Sequence, residues 1–424
     1  MAISSHRRLR SPQPLRAFAH RDFLLYWIAL IVSLMGDGIY SVAIAWQVYH
    51  VSNRPSALAY VGAAWTLPQL ASLLFAGAIS DRFDRRRVLI VANATSGVAV
   101  GTIALLTLSG AIKLWELWFL VAVHGIGVAL FIPAAGALVP QIVPADLLVE
   151  ANAVRQFVRP LTLRLLGPAL GGVLVAALGS GEAFLVDSLS FFFALGAISL
   201  IRSRPRQRDL SETASVTREV VEGIRFVGSQ SWLWISLAAT AVWLLVYVGP
   251  LEVLLPFLVR NKIAPDARDL GLVFAAGGVG AMLFAYAVGQ RGLPRRALVF
   301  MYAVWAASMF ALATLAFATA LWEAMLSSFF IFGLLSTGEI VWQTMLQRRV
   351  PNELLGRVAS VDWFVSSALV PVSFVLTGPI AGSLGASRTV LGAGVIGGVL
   401  LTALIALRPI RAPERAEGAQ PAPA

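Results

Sequence analysis

Residues Phe23–Tyr49 read FLLYWIALIVSLMGDGIYSVAIAWQVY, an apolar run with a single charged residue, Asp37. An α-helix rises 1.5 Å per residue, so about 20 residues cross a hydrocarbon core about 30 Å thick. Similar runs recur along nearly the whole chain and predict an all-α integral membrane protein with twelve transmembrane helices in two pseudo-symmetric six-helix bundles. We predict the spans at 23–49, 56–79, 88–109, 114–138, 151–178, 182–201, 232–259, 270–290, 297–318, 321–346, 357–383 and 388–407.

Composition supports a membrane protein. Of the 424 residues, 58% are hydrophobic and 13% are charged, whereas about a quarter of the residues in soluble domains are charged. The first run could be mistaken for a secretory signal peptide. It is too long and lacks a small-residue cleavage site, so we interpret it as a retained first span.

The net charge of +11 raises the question of nucleic-acid binding. With both termini in the cytoplasm, 24 of the 33 Lys and Arg residues fall in cytoplasmic loops and tails. Six fall in outer loops, and three lie on the fifth span. The positive-inside rule explains this distribution without nucleic acid and predicts a bacterial inner-membrane protein with cytoplasmic termini.

The chain divides at a basic central segment. We predict a cytoplasmic tail at 1–22, a six-helix bundle at 23–201, a linker at 202–231, a second bundle at 232–408 and a tail at 409–424. Within the linker, apolar residues at helical spacing predict an amphipathic surface helix. They are Val216, Val220, Ile224 and Val227.

The two halves also carry weak internal repeats. Val143–Leu148 matches Val350–Leu355 at an offset of 207, and Gly167–Gly172 is echoed by Gly378–Gly382 at an offset of 211. Duplicated six-helix halves are typical of transporters that rock about a site at the membrane midplane.

Between spans 2 and 3 the chain reads GAISDRFDRRRVL, Gly77–Leu89. Glycine allows a neighbouring helix to approach closely, an aspartate can face a helix N-terminus, and arginines can pair with carboxylates. We predict that this segment latches the two halves together at the cytoplasmic side. The proposed latch residues are Gly77, Asp81, Arg82, Arg85 and Arg86, with Asp362 on span 11 as the partner of Arg82 or Arg86.

This segment resembles the loop 2–3 signature of the major facilitator superfamily. Two positions depart from it: Asp84 stands where the family usually has glycine, and Arg291 in Gly289–Arg296 stands where an acid would sit. Other motifs look like the bacterial branch that contains enterobactin and macrolide exporters, the transmembrane secretion effector type. They are Arg21–Phe23, Ser33–Asp37, Ala151–Ala153, Arg164–Gly172, Phe184–Asp187 and Ser190–Phe191. The resemblance implies proton-driven efflux of a small organic molecule.

Charged residues inside spans are the main functional candidates, because each costs about 2.5–3.5 kcal/mol to insert at mid-helix. Asp37 is a proton or substrate carboxylate, or it forms a buried pair with Arg164; both roles can hold together. Gly36 and Gly38 beside it would permit a local helix break.

Two further acids are candidates in the second half. Glu252, between Pro250 and Pro256, lies close to the counterpart of Asp37 and suggests a hinge, with an interfacial position as the alternative. In the superfamily spans 1, 4, 7 and 10 line the cavity, so Glu339 on span 10 completes a three-carboxylate lining.

Several polar residues have a simpler interpretation. Arg155 and Arg159 share a helix face and are expected to reach the inner interface, Asp187 is expected to be structural, and His124 to be a packing residue. Five tryptophans could wall a cavity or mark interfaces: Trp46, Trp65, Trp243, Trp305 and Trp342.

The sequence argues against several functions. No cysteine is present, which excludes disulfides, thiolate metal sites and a cysteine nucleophile. Neither of the two lysines follows a glycine, as a phosphate-binding Walker loop requires. We therefore predict a monomeric, proton-coupled exporter of small amphipathic molecules without cofactor, metal or enzymatic activity. The alternatives are a proton-independent facilitator or flippase and, less favoured, a membrane sensor or enzyme.

Overall fold

The structure is a computed structural model that describes residues 16–144, 147–148, 158–202, 216–407 and 410. Within these ranges it leaves out the side chains at 16–17, 74, 77–78, 80–81, 216–220 and 352–353. Arg155 and part of the first repeat therefore lie outside the described residues. The latch residues Gly77 and Asp81 are described by their backbone alone.

Fourteen helices of ten residues or more account for most of the described chain. They are α1 (Arg21–Val51), α2 (Pro55–Arg82), α3 (Arg85–Leu108), α4 (Leu114–Ile142), α5 (Val158–Ala177), α6 (Ser180–Ser199), α7 (Val216–Ser229), α8 (Ser231–Ile263), α9 (Ala267–Arg291), α10 (Ala297–Thr314), α11 (Leu321–Arg349), α12 (Asn352–Ser367), α13 (Val370–Leu384) and α14 (Ala386–Leu404). Helix α7 is the predicted linker helix, and α12 and α13 together form span 11.

Eleven segments of the described chain are long and apolar enough to cross a membrane, with Leu354–Leu384 of α12 and α13 counted as one. Helix α2 has 28 residues and is the second span along the chain, which brings the number of spans to twelve. It packs along α4 and α13. The predicted twelve-helix membrane fold is confirmed.

A pseudo-two-fold axis relates the two halves. Asn53 and Asn261 exchange side-chain hydrogen bonds of 2.6 and 3.1 Å, as equivalent residues do across a two-fold axis, and they are 208 positions apart. Leu114–Glu116 and Leu321–Glu323 both read LWE, 207 positions apart, and begin α4 and α11. In each, the glutamate carboxylate accepts from the backbone N–H three residues earlier. This repeat is clearer than the two that the sequence analysis used.

The glycine-proline repeats join the halves. A Cβ on Gly172 of α5 would lie 2.9 Å from the Gly271 Cα atom of α9, and one on Gly378 of α13 would lie 2.6 Å from the Ser56 Cα atom of α2. Small residues let these helix backbones meet, as is usual between membrane helices. The α5–α9 and α2–α13 contacts are equivalent under the pseudo-symmetry.

These contacts lie on the membrane side opposite the termini. Further bonds there run from the Tyr49 hydroxyl to the Val253 carbonyl (2.6 Å) and from the Arg260 guanidinium to the Trp46 carbonyl (2.9 Å). On the terminus side, α12 packs instead on α7, α8 and α11. Among the described residues, the halves are therefore sealed on the far side, and the cleft between them opens toward the termini.

The linker helix α7 is attached to the second half. Glu222 forms an ion pair with Arg357 of α12, and Gly223 packs against the same arginine. Val227 is buried as its spacing predicts, but Ile224 is 55% exposed. These two contacts join α7 to α12.

Candidate functional site

Asp37 lies at the middle of α1, which is continuously helical from Arg21 to Val51. The expected break at Gly36 and Gly38 is wrong. Both glycines serve close packing instead: a Cβ on Gly38 would lie 2.7 Å from the Gly167 Cα atom of α5, and one on Gly36 would lie 2.3 Å from the Asp187 Oδ1 atom of α6. The carboxyl group of Asp37 is half-buried where these helices meet.

The positive charge that acts on Asp37 comes from Arg159. The sequence analysis gave Arg164 as a possible partner of Asp37, whereas the interaction in the structure is with Arg159. Arg159 is exposed near the start of α5, and its expected reach to the inner interface stays a prediction. Five residues separate the two arginines on α5, so their side chains point in different directions around the helix. Arg159 serves the first half, whereas Arg164 faces the second.

Arg164 and Glu252 interact across the two halves. Arg164 lies in a π-helical turn, Leu161–Leu166, and its guanidinium carbon is 4.9 Å from the centre of the Phe332 ring. Glu252 lies in a second π-helical turn, Pro250–Leu254, and interacts electrostatically with Arg164. Both side chains are exposed although the helices of both halves surround them, so they face the central cleft. Such turns often mark functional sites in membrane helices.

Glu252 is farther out than the sequence analysis placed it. An offset of 207 makes Leu244 the counterpart of Asp37, and Glu252 follows Leu244 by eight residues, about two helical turns. The pseudo-symmetry therefore does not pair the two acids. Glu252 interacts electrostatically with Arg164, whereas Asp37 interacts electrostatically with Arg159.

Glu339 and Asp362 form a separate acidic neighbourhood at the terminus side of the cleft. Glu339 on α11 is exposed and accepts a 3.0 Å hydrogen bond from Gln343. Asp362 on α12 is 8% exposed and accepts from the Trp342 indole (3.1 Å) and the Ser366 hydroxyl (3.3 Å). The three candidate carboxylates thus occupy three different surroundings.

The basic latch residues lie within the first half. Asp84 caps α3 by accepting a 2.8 Å hydrogen bond from the Arg86 N–H, which explains why glycine is not required there. The Arg86 side chain donates to the Ile198 and Ser199 carbonyls at the end of α6. Arg82 is exposed. The predicted pairing of Asp362 with Arg86 is therefore not made in this conformation, because each group is engaged elsewhere.

Sequence reasoning missed a buried polar cluster around Asp187 in the first half. Asp187 of α6 is fully buried; its Oδ1 atom accepts a 3.4 Å hydrogen bond from Ser190, and its Oδ2 atom has no hydrogen-bond partner among the described residues. It interacts electrostatically with Asp37 and Tyr40 of α1. Only a glycine at position 36 leaves room for this carboxylate.

His124 and Tyr40 complete this cluster. Their ring centres are 5.3 Å apart, and the His124 ring is 5.7 Å from that of Phe191. His124 is 3% exposed. Neither its Nδ1 atom nor the Tyr40 hydroxyl has a hydrogen-bond partner in the part of the chain that the structure describes. The glycines around Asp37 were the one signal in the sequence for such close packing.

The tryptophans mostly serve packing. Trp243, Trp305 and Trp342 are at most 4% exposed. Trp243 and Trp305 stack with ring centres 4.6 Å apart, and Trp243 also stacks on Tyr247 at 5.2 Å. Trp46 instead lies under the Arg260 guanidinium at 4.7 Å, in the contact between the halves. The cavity-wall interpretation is therefore wrong for the three buried tryptophans.

Comparison with known proteins identifies the family of this chain. The family described as transmembrane secretion effector, within the major facilitator superfamily, matches residues 12–423. The chain belongs to this family. It is 30% identical to the multidrug efflux pump Tap of Mycolicibacterium fortuitum over 387 residues, covering 87% of this chain and 91% of Tap. It is 25% identical to the enterobactin exporter EntS of Shigella boydii, covering 92% of this chain and 94% of EntS.

A solved structure of the nucleoside transporter NupG shares the fold. It superposes with a TM-score of 0.72 at 9% sequence identity, covering 91% of this chain and 99% of NupG. The resemblance that the motifs indicated is confirmed. This transmembrane secretion effector is a multi-pass membrane transporter of the efflux type that acts on small molecules, and it is not an enzyme.

Proposed function

We propose that the protein is a proton-coupled exporter that moves small amphipathic organic molecules, such as drugs, macrolides or siderophores, by alternating access. The observation that carries the proposal is the set of charged side chains within the spans: Asp37 inside the first half, and Arg164, Glu252 and Glu339 at the cleft. Charges at this depth are costly and are retained for function. The similarity to a multidrug pump and a siderophore exporter supports the substrate class.

The Arg164–Glu252 interaction supports alternating access. It joins α5 of one half to α8 of the other inside the cleft, so it changes when the halves rock. A proton or a substrate that competes for either partner would then bias the two states. Asp37 is positioned to carry the coupling proton, because Arg159 beside it supplies a charge partner that can change between states.

The direction of transport follows from the orientation that we propose. Lys and Arg residues concentrate on the terminus side, which indicates that this side is cytoplasmic. The cleft then faces the cytoplasm, ready to load substrate. We propose that Gly77, Asp81, Arg82, Arg85, Arg86 and Asp362 engage as a latch when this side closes, with the bundles 23–201 and 232–408 as the moving bodies of a monomer.

The proton gradient is an adequate energy source. One charge that crosses about 150 mV releases about 3.5 kcal/mol. That energy supports a concentration ratio of a few hundredfold.

Proton coupling can be tested in liposomes with an imposed pH gradient. A panel of fluorescent amphipathic compounds is followed with the wild type, with Asp37→Asn and with Asp266→Asn. Asp266 caps α9 at the membrane surface and serves as the matched control. We expect gradient-driven movement to be lost in Asp37→Asn and kept in the control. Movement of the compounds that needs neither the gradient nor Asp37 would contradict proton coupling and favour a facilitator or flippase.

Alternating access can be tested by locking the sealed side. The chain has no cysteine, so Asn53→Cys combined with Asn261→Cys introduces the only thiols. We expect a short bis-thiosulfonate reagent to cross-link them and stop transport, and reduction to restore it. Each single cysteine variant, treated in the same way, controls for modification alone. Full transport by the cross-linked protein would contradict alternating access through this contact.

A further inference from the structure

Among the described residues, the cluster around Asp187 holds more negative than positive groups. Two carboxylates, Asp37 and Asp187, interact with each other inside the first half, and Arg159 is the cation that acts on Asp37. Asp187 is fully buried and accepts a single hydrogen bond, from Ser190. Burying a second negative charge without a partner is costly, and binding a proton removes that cost.

The helices packed on Asp187 offer few other charges. Helix α1 contributes Asp37 and Tyr40, and α4 contributes His124. The charged residues of α3 are Arg85–Arg87, in its first turn, and at the level of Asp187 it presents Gly97 and Gly101. Arg164 on α5 is turned toward Glu252 in the cleft. The Asp187 carboxyl group therefore has no nearby cation of its own in the described part of the chain.

Three polar atoms in this cluster have hydrogen-bonding capacity left over. They are Asp187 Oδ2, the Tyr40 hydroxyl and His124 Nδ1, each buried without a hydrogen-bond partner among the described residues. Buried polar groups are almost always satisfied, so three orphans in one place indicate that something else binds there. A proton shared through short-range rearrangement of these groups needs no extra volume, which suits a site where a Cβ on Gly36 would not fit.

We propose that Asp187 is a second proton-binding carboxyl, sealed from the cleft, that exchanges its proton with Asp37 through the Tyr40 hydroxyl and the His124 imidazole. The proton binds at Asp187 Oδ2. It leaves toward the half-buried Asp37, from which it reaches the water of the cleft. This inference deepens the proposed function, since it names where the first half holds a proton when Asp37 is paired with Arg159.

The test is an infrared difference spectrum of the purified full-length protein between acid and alkaline pH. No substrate is needed. We expect the C=O stretch of a protonated carboxylic acid that titrates in the wild type, is lost in Asp187→Asn and is unchanged in Glu182→Gln, a control in the first turn of the same helix. Asparagine has nearly the shape of aspartic acid and can still accept from Ser190.

Two further variants keep the test decisive if Asp187→Asn does not fold. Tyr40→Phe and His124→Gln leave Asp187 in place but remove a hydroxyl and a protonatable imidazole that could stabilise its ionised form after the local rearrangement, so the acid band should persist to higher pH in both. A band that is identical in the wild type, Asp187→Asn, Tyr40→Phe and His124→Gln would overturn the proposal. So would a wild type that shows no band assignable to Asp187.

The outcome is separable from that of the proposed function. A titrating Asp187 band in a protein that shows no gradient-driven transport would keep this site and reject proton-coupled export. Gradient-driven transport that depends on Asp37, without an Asp187 band, would do the reverse.

Discussion

Equivalent positions in the two halves carry a polar cluster in the first half and aromatic or apolar residues in the second. In the first half, Gly36, Asp37 and Tyr40 of α1 meet His124 and Asp187 in a polar cluster. Their counterparts in the second half, at an offset of 207, are Trp243, Leu244, Tyr247 and Ile331, with the small residues Ala393 and Gly394 at the level of Asp187. There the space is filled by stacked aromatic rings, Tyr247 on Trp243 on Trp305.

This difference assigns different tasks to the two halves. A polar cluster with unused hydrogen-bonding capacity can bind and release a proton, whereas an aromatic stack buries a large apolar area and resists deformation. Tyr40 and Tyr247 are equivalent positions that carry the same residue type in both halves. Neither hydroxyl has a hydrogen-bond partner among the described residues. The first half is thus suited to titration, whereas the aromatic stack stiffens the second half.

The largest effect is expected from breaking the aromatic stack. Trp305 is 2% exposed, so Trp305→Ala should destabilise the protein by about 3–5 kcal/mol. Thermal unfolding in detergent measures the loss. Trp322→Ala is the control, because Trp322 is 64% exposed and should cost little. Equal losses for the two variants would show that the stack does not stiffen the second half.

A smaller effect is expected from filling the polar cluster. In Gly36→Ala the new Cβ would lie 2.2 Å from Ser190 Oγ and 2.3 Å from Asp187 Oδ1, so α1 and α6 must separate. We expect a loss of about 1–3 kcal/mol, typical of overpacking, measured by the same unfolding assay. Gly196→Ala on α6 points into open space and should be neutral or slightly stabilising. If both substitutions were neutral, the cluster would have to be looser than the structure shows.

The fold was predictable because it depends on properties that are local in sequence. Apolar runs of span length and the distribution of arginines do not need tertiary information, so twelve helices followed directly. The exceptions are instructive. Val143 and Val350 predict an offset of 207 between the halves, and the LWE repeat at Leu114 and Leu321 gives the same offset with a clearer sequence match.

The site was predicted less well because side-chain direction around a helix decides it. Arg159 and Arg164 are five residues apart, and the π-helical turn at Leu161–Leu166 adds a rotation that spacing alone does not reveal. The role of Asp187 was missed for a similar reason. Its significance depends on Gly36 and His124, which lie on two other helices and are close to it only in the folded protein.

The smallest effect on stability, and the sharpest test of the comparison, comes from the two equivalent tyrosines. Tyr40→Phe and Tyr247→Phe each remove a buried hydroxyl that has no hydrogen-bond partner among the described residues, so each should change stability by under about 1 kcal/mol. Tyr40 interacts electrostatically with Asp37 and Asp187 in the buried cluster, whereas Tyr247 interacts with Arg164 and Glu252 at the cleft. The pH dependence of gradient-driven efflux in liposomes should therefore change in Tyr40→Phe and stay as in the wild type in Tyr247→Phe. If Tyr247→Phe changed it equally, the proton would not be confined to the first half, because the Tyr247 hydroxyl would then be coupled to Glu252, its nearest acidic neighbour in the electrostatics of the cleft.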